Sequence, residues 1–317
     1  MIAASAFVLC CAGCIDARTK TVDEAIADSA PDANATSQST AAMEATRGFW
    51  VMTAQGRVTR FDVRQGRVVA GDVWDTGGAC IPETVLCGGA DRAVGLTQGL
   101  RLCVFDSASQ QVSVLHDTAA KTLEGLGCFA GSRSLSRSGT LVVWCNEPRT
   151  AWVARDVMTP GTELAWTRWE HPADVDFRFN FIFAGRDDVV YQSLRPRSPI
   201  RVVEFAAGSV ARDVFVPKGE QVARVLDRTD THVTLGVQEH VGSMRIQTVD
   251  LQGAETASAI VVRGPVPGLT ARTLIVDGLL IAVPEVQPWV DVIDLQAGGG
   301  ERVWQRVDVD NSILAAW

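Results

Sequence analysis

A short phrase recurs along most of this 317-residue chain. It combines an apolar–polar alternation that ends on an acidic residue with a polar turn and a second apolar run, as in Val58–Val69. The acidic residue falls at six positions, which are Asp62, Asp106, Asp156, Glu204, Asp250 and Asp294. Consecutive positions are roughly 44 to 50 residues apart, a period that indicates a repeat architecture in which each unit is one small sheet.

Each repeat resolves into four short strands, called a to d from the centre outward, with turn residues such as Asp277-Gly278 between them. The second module predicts strands at Val85–Cys87, Ala93–Leu96, Leu100–Phe105 and Val112–Leu115. The third predicts strands at Gly127–Phe129, Leu141–Trp144, Thr150–Ala154 and Glu163–Trp166. The sixth ends on a predicted strand at Arg302–Val307.

The first module is one strand short, because no strand a precedes Phe49–Thr53. The chain end supplies a surplus apolar segment, Ile313–Trp317. Pairing these two segments would remove the exposed edges that an open ring of sheets leaves. We therefore expect an all-β, six-bladed β-propeller over residues 48–317, closed by pairing of the N- and C-terminal strands. A seven-bladed ring and a tandem of β-sandwiches are the alternatives.

The hydrophobic–Asp–hydrophobic phrase and the turn that follows it resemble the β-propeller superfamily, most of all its quinoprotein-like and YVTN-like members. The resemblance covers residues 48–317 and implies a fold rather than a function. The sequence does not reproduce the tryptophan docking pattern of quinoprotein blades, and it contains no Asp-box and no Gly-His to Trp-Asp signature. It therefore predicts no quinone and no other cofactor.

The first residues are typical of an exported protein. Ile2–Leu9 is apolar but too short to span a bilayer, and it suits the apolar region of a signal peptide, although the positive flank is missing. Cys11-Ala12-Gly13-Cys14 resembles the lipobox of bacterial lipoproteins, which implies a lipid anchor on Cys14 and a location in the cell envelope, facing the periplasm or the surface. An ordinary cleaved signal and an apolar tail on an intracellular protein are the alternatives.

Residues 1–14 are thus a predicted lipoprotein-type signal segment, and residues 15–47 a predicted disordered linker. The linker is rich in Ala, Ser, Thr, Asp and Gln, as Pro31–Thr40 illustrates, and it lacks the apolar surface that would offset its ordering entropy. A flexible chain of that length has a root-mean-square reach of roughly 30 Å. We expect it to tether the domain to a membrane surface.

The net charge of -8 and the pI near 5.1 argue against a nucleic-acid partner, which needs a concentrated basic surface. We expect a monomer that contacts the membrane through its lipid anchor. Its expected partner is an envelope protein or an extracellular ligand.

Five cysteines follow Cys14, and some of them should form disulfides in an exported protein. Cys128 and Cys145 flank neighbouring strands a and b of the third module and are predicted to pair. Cys80 and Cys87 could pair as well, which leaves Cys103 as a predicted buried thiol. The alternatives are five reduced cysteines or a zinc site; the sequence favours no metal, because these cysteines form no C-x-x-C pair and the histidines are scattered.

The d–a connections and the b–c turns of a propeller emerge at one side, around the central channel, where ligands commonly bind. The candidate ligand-binding residues there are Trp169, Glu170, His171, Arg195, Arg197, Glu239 and His240. A histidine with two carboxylates could serve as an acid–base group or a metal ligand, and the tryptophans could stack on a sugar. The favoured alternative is a solvated loop with a tryptophan lid over the core.

The sequence contains no Ser-His-Asp, HExxH or phosphate-loop signature, so it predicts no catalytic residue. The leading hypothesis is a membrane-tethered envelope propeller that acts as a binding or assembly scaffold. The competing hypothesis is a propeller hydrolase or lyase acting on a sugar, lactone or peptide. That enzyme would need acidic residues with shifted pKa values at the channel mouth.

Overall fold

The computed structural model describes residues 47–53, 56–64, 67–75, 85–88, 92–96, 102–106, 109, 111–116, 130–145, 150–159, 164–170, 180–193, 195, 197–240, 242–256, 259–263, 272–283, 288–297, 302–303, 305–309 and 313–316. The predicted signal segment, its Cys14 and all but the last residue of the predicted linker lie outside these residues. They stay predictions. The described part of the chain contains no helix that is long and apolar enough to cross a membrane.

Within the described residues, 25 strands form six sheets, numbered here in chain order. Sheet 1 contains β1 (Arg47–Thr53), β2 (Arg57–Arg64), β3 (Arg67–Asp75) and the last strand, β25 (Ile313–Ala316). Sheet 2 contains β4 (Val85–Gly88), β5 (Arg92–Leu96), β6 (Leu102–Asp106) and β7 (Gln111–His116). Sheet 3 contains β8 (Ala130–Leu135), β9 (Leu141–Cys145), β10 (Thr150–Ala154) and β11 (Trp166–Glu170).

Sheet 4 contains β12 (Asn180–Ala184), β13 (Asp188–Ser193), β14 (Ile200–Glu204) and β15 (Arg212–Phe215). Sheet 5 contains β16 (Val222–Arg228), β17 (His232–His240), β18 (Ser243–Asp250), β19 (Ile260–Arg263) and, as a fifth strand, β23 (Arg302–Val303). Sheet 6 contains β20 (Arg272–Val276), β21 (Leu279–Val283), β22 (Trp289–Asp294) and β24 (Gln305–Asp308). Apart from the parallel β19–β23 pair, neighbouring strands run antiparallel.

Six apolar clusters join the sheets face to face in cyclic order. Sheets 1 and 2 share Trp50 and Phe105, sheets 2 and 3 share Val104 and Leu141, and sheets 3 and 4 share Trp144 and Tyr191. Sheets 4 and 5 share Val202 and Leu235, sheets 5 and 6 share Leu226 and Ile293, and sheets 6 and 1 share Ile281 and Phe49. The sixth interface returns to the first sheet, an arrangement that fits a six-bladed β-propeller.

The position of each strand within its sheet explains its sequence. Strands a of neighbouring sheets contact one another, β4 with β8, β8 with β12, and β16 with β20. Strands b are buried on both faces and are continuously apolar, as in β21, where every residue is buried. The outermost strands keep few buried positions: seven of the nine residues of β3 and three of the four residues of β24 are solvent-exposed.

The predicted pairing of the two chain ends is confirmed. β25 lies beside β1 as strand a of sheet 1, with Val51 opposite Ala316 and Met52 opposite Ala315. The predicted strand at Phe49–Thr53 appears as β1. β25 therefore covers the inner edge of β1, whose residues Phe49 to Thr53 are all buried.

Three predicted strands need correction. Strand a of sheet 3 is β8, which begins after the predicted Gly127–Phe129, a segment outside the described residues, and its sequence Ala-Gly-Ser-Arg-Ser-Leu is largely polar. Ser134 is buried there because its hydroxyl accepts a 2.8 Å hydrogen bond from the Ala184 amide of sheet 4, a contact that no periodicity reveals. Strand d of sheet 3 is β11, which begins at Trp166, where the predicted strand ends. The predicted strand at Arg302–Val307 is two strands, β23 and β24, of which β23 extends sheet 5.

The recurring acidic residue has a structural role at the turn between strands c and d. Asp250 Oδ1 accepts hydrogen bonds from the amides of Gln252 (2.8 Å) and Ala254 (2.9 Å). Asp294 Oδ1 accepts one from the Gln296 amide at 2.8 Å. Asp106 does the same for Ser109 at 2.9 Å. These carboxylates satisfy backbone donors of the turn and so favour it over a continued strand.

The prediction that Cys103 is a free thiol is wrong, because Cys103 is disulfide-bonded. Cys103 lies on β6, is fully buried and packs with Trp50 and Met52 of sheet 1. Burial was correctly expected for this strand, but the spacing of cysteines in the chain does not reveal which of them meet in space. Cys128 and the side chain of Cys145 lie outside the described residues, so their pairing stays a prediction.

Deleting residues 313–317 should destabilise the whole domain rather than fray one end, because it exposes the inner edge of β1. Partial exposure of Val51 and Met52, which are buried and lie opposite β25, would cost up to about 1.5 to 3 kcal/mol for each side chain. We expect the thermal unfolding midpoint to fall by roughly 5 °C or more. Val210→Ala, at a highly exposed position, is the control that should not move it. An unchanged midpoint in the truncated protein would contradict this role for β25.

Candidate functional site

The sheets have two chemically different ends, defined by their connections. The a–b end carries the a–b and c–d turns, and the b–c end carries the b–c turns and the d–a connections. Arg195 and Arg197 lie between β13 and β14, the b–c connection of sheet 4. Glu170 ends β11, and Glu239 and His240 end β17, which also places their backbones at the b–c end. The backbones of the described candidate residues thus share one end of the sheets.

Trp169 is a core residue. It is only 5% exposed and packs edge-on against Trp144, at 6.0 Å between ring centroids, and against Phe205 at 5.1 Å. These contacts fill the interface of sheets 3 and 4. The indole is therefore not placed to stack on a ligand, in agreement with the alternative of a tryptophan lid over the core.

Two of the described charged candidates, Glu170 and Arg197, form exposed ion pairs. Glu170 lies 3.4 Å from Arg168, its neighbour on β11. Arg197, which has a positive φ of 65°, is paired with Glu220 of the connection that leads into sheet 5. Such surface pairs contribute roughly 0 to 1 kcal/mol each. His171 and the side chains of Glu239 and His240 lie outside the described residues, so their contacts with the other candidates are not described.

The a–b end contains a polar group of residues that the sequence did not predict. We call it the cross-sheet cluster and define it as Arg137, Asp188, Asp227, Arg228 and Asp230. Arg137 lies in the a–b turn of sheet 3 and donates a 2.9 Å hydrogen bond to Asp227 Oδ2, at the end of β16 in sheet 5. It also donates to the main-chain oxygen of Ile275 in sheet 6. One side chain thus joins three sheets.

The remaining contacts of the cluster join sheets 3, 4 and 5. Arg228, whose side chain is 2% exposed, forms a buried ion pair with Asp188 of sheet 4. Gly185 makes room for it, since a Cβ there would lie 2.7 Å from Arg228 Cζ. Ser138, next to Arg137, donates a 2.8 Å hydrogen bond to Asp230 Oδ1 in the a–b turn of sheet 5.

Burial dominates the electrostatics of this cluster. It raises the pKa of Asp227 to about 6, although Arg137 and the Arg228 amide act in the opposite direction. Burial also raises the pKa of Asp188 and lowers that of Arg228 despite their ion pair. On strand a of sheet 5, burial lowers the pKa of Arg224 to about 10, and its Nη2 donates a 3.0 Å hydrogen bond to Thr273 Oγ1 of sheet 6.

A carboxyl group with a pKa near 6 is suited to proton exchange near neutral pH. In the cluster, however, each carboxylate contacts a group of another sheet: Asp227 contacts Arg137, Asp188 contacts Arg228, and Asp230 contacts Ser138. Among the described residues, no group of three or more His, Cys, Asp and Glu side chains is placed to hold a metal ion. The arrangement is one of structural contacts between sheets.

The sequence gives a weak signal for this cluster. Asp227 and Arg228 directly follow the apolar residues Val225 and Leu226, at a point where charged side chains normally mark the solvated end of a strand. This strand end is buried only because the strands a of neighbouring sheets pack against one another.

No known protein family matches the sequence, and no curated protein is similar to it. Solved structures resemble the fold at low identity. A nidogen–laminin complex matches with a TM-score of 0.47 and 13% identity, over 79% of this chain and 90% of that one. AztD from Citrobacter koseri matches with a TM-score of 0.43 and 9% identity, over 86% of this chain and 97% of that one. A computationally designed protein, Ika8, matches with a TM-score of 0.38 and 14% identity, over 85% of this chain and 86% of that one. Scores below 0.5 assign neither a family nor an activity.

Asp227 should make the stability of the domain depend on pH. Because its folded-state pKa of about 6 lies above the ordinary 3.8, the folded state retains a proton that the unfolded state has lost between these values. The stabilisation is complete below about pH 4 and is lost as the pH rises through about 6, by up to roughly 3 kcal/mol.

Asp227→Asn should remove this slope, as measured by chemical denaturation at several pH values across the window. Asp187→Asn is the matched control at the same end, because the Asp187 side chain is 71% exposed. It should keep the wild-type slope. Equal slopes in wild type and Asp227→Asn would show that Asp227 titrates near its ordinary value.

Proposed function

We propose that the chain is a closed six-bladed β-propeller that acts as a lipid-anchored binding or assembly scaffold in a bacterial cell envelope. The cyclic order of the six sheet interfaces supports the propeller. The lipobox-like Cys11-Ala12-Gly13-Cys14 and the polar linker support the anchor. The partner is an envelope protein or an extracellular ligand.

One observation carries the choice of a scaffold over a hydrolase or lyase. Among the described residues, the buried charged groups at the a–b end, Asp188, Asp227 and Arg228, have shifted pKa values and form ion pairs and hydrogen bonds between sheets. Arg224 of β16, whose pKa burial lowers to about 10, likewise donates a hydrogen bond to sheet 6. Charges held in this way fix the arrangement of the sheets, whereas a catalytic acid or base must be open to a substrate. The shifted pKa values of these described residues are therefore explained by their burial and by their contacts between sheets.

The binding surface in this proposal is the b–c end. At the opposite end, Arg137 spans sheets 3, 5 and 6 and occupies the space near the inner strands. The b–c end instead carries exposed arginines, among them Arg195 and Arg197, on connections that can vary without disturbing the sheets. Exposed arginines in loops are suited to a partner with acidic groups.

The anchor predicts that Cys14→Ser protein moves from the membrane to the soluble fraction of the native bacterium. An acyl chain contributes about 0.8 kcal/mol for each buried methylene, so two or more chains give stable attachment. Immunoblots of the fractions and mass analysis of the mature N-terminus measure the effect. Cys10→Ser, which lies directly before the motif, is the matched control and should stay in the membrane. Membrane retention of Cys14→Ser would contradict the anchor.

The binding surface predicts that Arg195→Glu/Arg197→Glu protein loses its partner. Quantitative cross-linking in intact cells, followed by mass spectrometry of the co-purified proteins, compares this variant with wild type. Arg155→Glu is the matched control, because Arg155 is a comparably exposed ion-paired arginine at the a–b end. We expect a cross-linked species in wild type and in the control that is depleted at least tenfold in the double variant, as roughly 1.4 kcal/mol of lost binding gives. Loss in Arg155→Glu alone would place the surface at the other end.

A further inference from the structure

The a–b turn of sheet 3 is a self-contained unit that presents Arg137. The Ser136 amide donates to the Thr140 main-chain oxygen at 2.8 Å, and the Thr140 amide donates to Ser136 Oγ at 2.8 Å. Gly139, with a φ of 84°, completes the turn by donating to the Ser136 main-chain oxygen at 3.1 Å. None of these three hydrogen bonds involves the Arg137 side chain, which is free to contact other sheets.

Arg137 and Ser138 connect this turn to the far sheets. Arg137 reaches Asp227 of sheet 5 and the main chain of Ile275 in sheet 6, and Ser138 reaches Asp230. The Arg137 side chain is 40% exposed, so it can move into solvent without unpacking the core. The buried Arg228 has no such freedom, although it too is paired with a carboxylate.

Asp227 is the group on which the position of Arg137 depends. Its side chain is 15% exposed, and the charged groups around it come from three elements. Sheet 3 contributes Arg137. β16 itself contributes the Arg228 amide, while the Arg228 guanidinium is paired with Asp188. The a–b turn of sheet 5 contributes Asp230, which accepts a hydrogen bond from Ser138. From sheet 6, β20 contributes the uncharged Ile275 and Thr273, while Arg272 lies at the opposite end of that strand.

We propose that the Arg137–Asp227 contact is a proton-controlled latch across the a–b end of the sheets. With Asp227 ionised, Arg137 is held between sheets 5 and 6 and links them to sheet 3. When Asp227 takes up a proton, it no longer offers a charged acceptor, and Arg137 moves into solvent. The turn of sheet 3 then remains attached to sheet 4 through the 3.1 Å hydrogen bond from Thr140 Oγ1 to the Arg186 main-chain oxygen.

The latch agrees with the electrostatics of the site. The pKa of Asp227, about 6, places the change within the range of a mildly acidified environment. Protonation removes a charge-assisted hydrogen bond but also removes the cost of a buried charge, so the domain stays folded while the latch opens. The latch goes beyond the proposed binding role and does not depend on it.

Hydrogen exchange measured by mass spectrometry on the full-length protein tests the latch. Peptides covering 130–145 and 222–232 are compared at about pH 5 and about pH 7.5, on either side of the pKa, after correction for the intrinsic exchange rate. In wild type, exchange in 136–140 should be roughly tenfold faster at the lower pH, as loss of one hydrogen bond to a charged group gives. Arg137→Gln should exchange at the fast rate at both pH values.

Two further measurements make the result decisive. Arg155→Gln removes a similarly exposed arginine from the same end and should keep the wild-type profile, because its partner Asp187 is exposed. Carbon-13 NMR of aspartate carboxyl groups, with Asp227→Asn for assignment, should show the Asp227 resonance titrating near 6 in wild type and closer to neutral pH in Arg137→Gln. Exchange in 136–140 that is independent of pH in wild type, or still dependent on pH in Arg137→Gln, overturns the latch.

Discussion

The burial of both faces of each sheet is the constraint on which this structure depends. A four-stranded sheet with two apolar faces cannot be stable alone in water, so each sheet needs a neighbour on either side. Sheets 2 to 5 obtain both neighbours from consecutive modules, but sheets 1 and 6 must meet each other. The Phe49–Ile281 interface and the β1–β25 pair meet this requirement, which is why the two chain ends carry as much of the fold as any internal module.

Polar contacts between sheets fix the relative positions of the sheets more than they stabilise the fold. Burying Arg228 and Asp188 removes two charges from water, and their attraction offsets that cost only when the two groups are well placed. In the Arg137–Asp227 pair only Asp227 is largely buried, since the Arg137 side chain is 40% exposed. These pairs therefore penalise displacement of the a–b turns relative to one another. The apolar interfaces, which are less directional, contribute most of the free energy of folding.

The two ends of the sheets consequently differ in what they can do. At the a–b end, side chains from sheets 3 to 6 are engaged with one another, and the exposed acidic repeats cap the c–d turns. At the b–c end, the described charged residues form surface ion pairs that cost little to rearrange. The proposed binding surface therefore lies at the end where these charged side chains can rearrange at little cost to the sheets.

The sequence by itself determined the all-β class, the period of the modules and the closure of the first sheet by the chain end. These features are encoded locally, because strand periodicity and turn residues report on neighbours a few positions apart, and the repeated Asp at the c–d turn adds a regular marker. Only the tertiary structure decided that polar β8 is an inner strand, that β23 extends sheet 5, that Cys103 is bonded and that Trp169 lies in the core. It also placed Asp227, whose neighbour Arg137 is 90 residues away in the chain. Such contacts depend on which sheets become adjacent when the sheets pack together, and no local pattern in the chain records that adjacency.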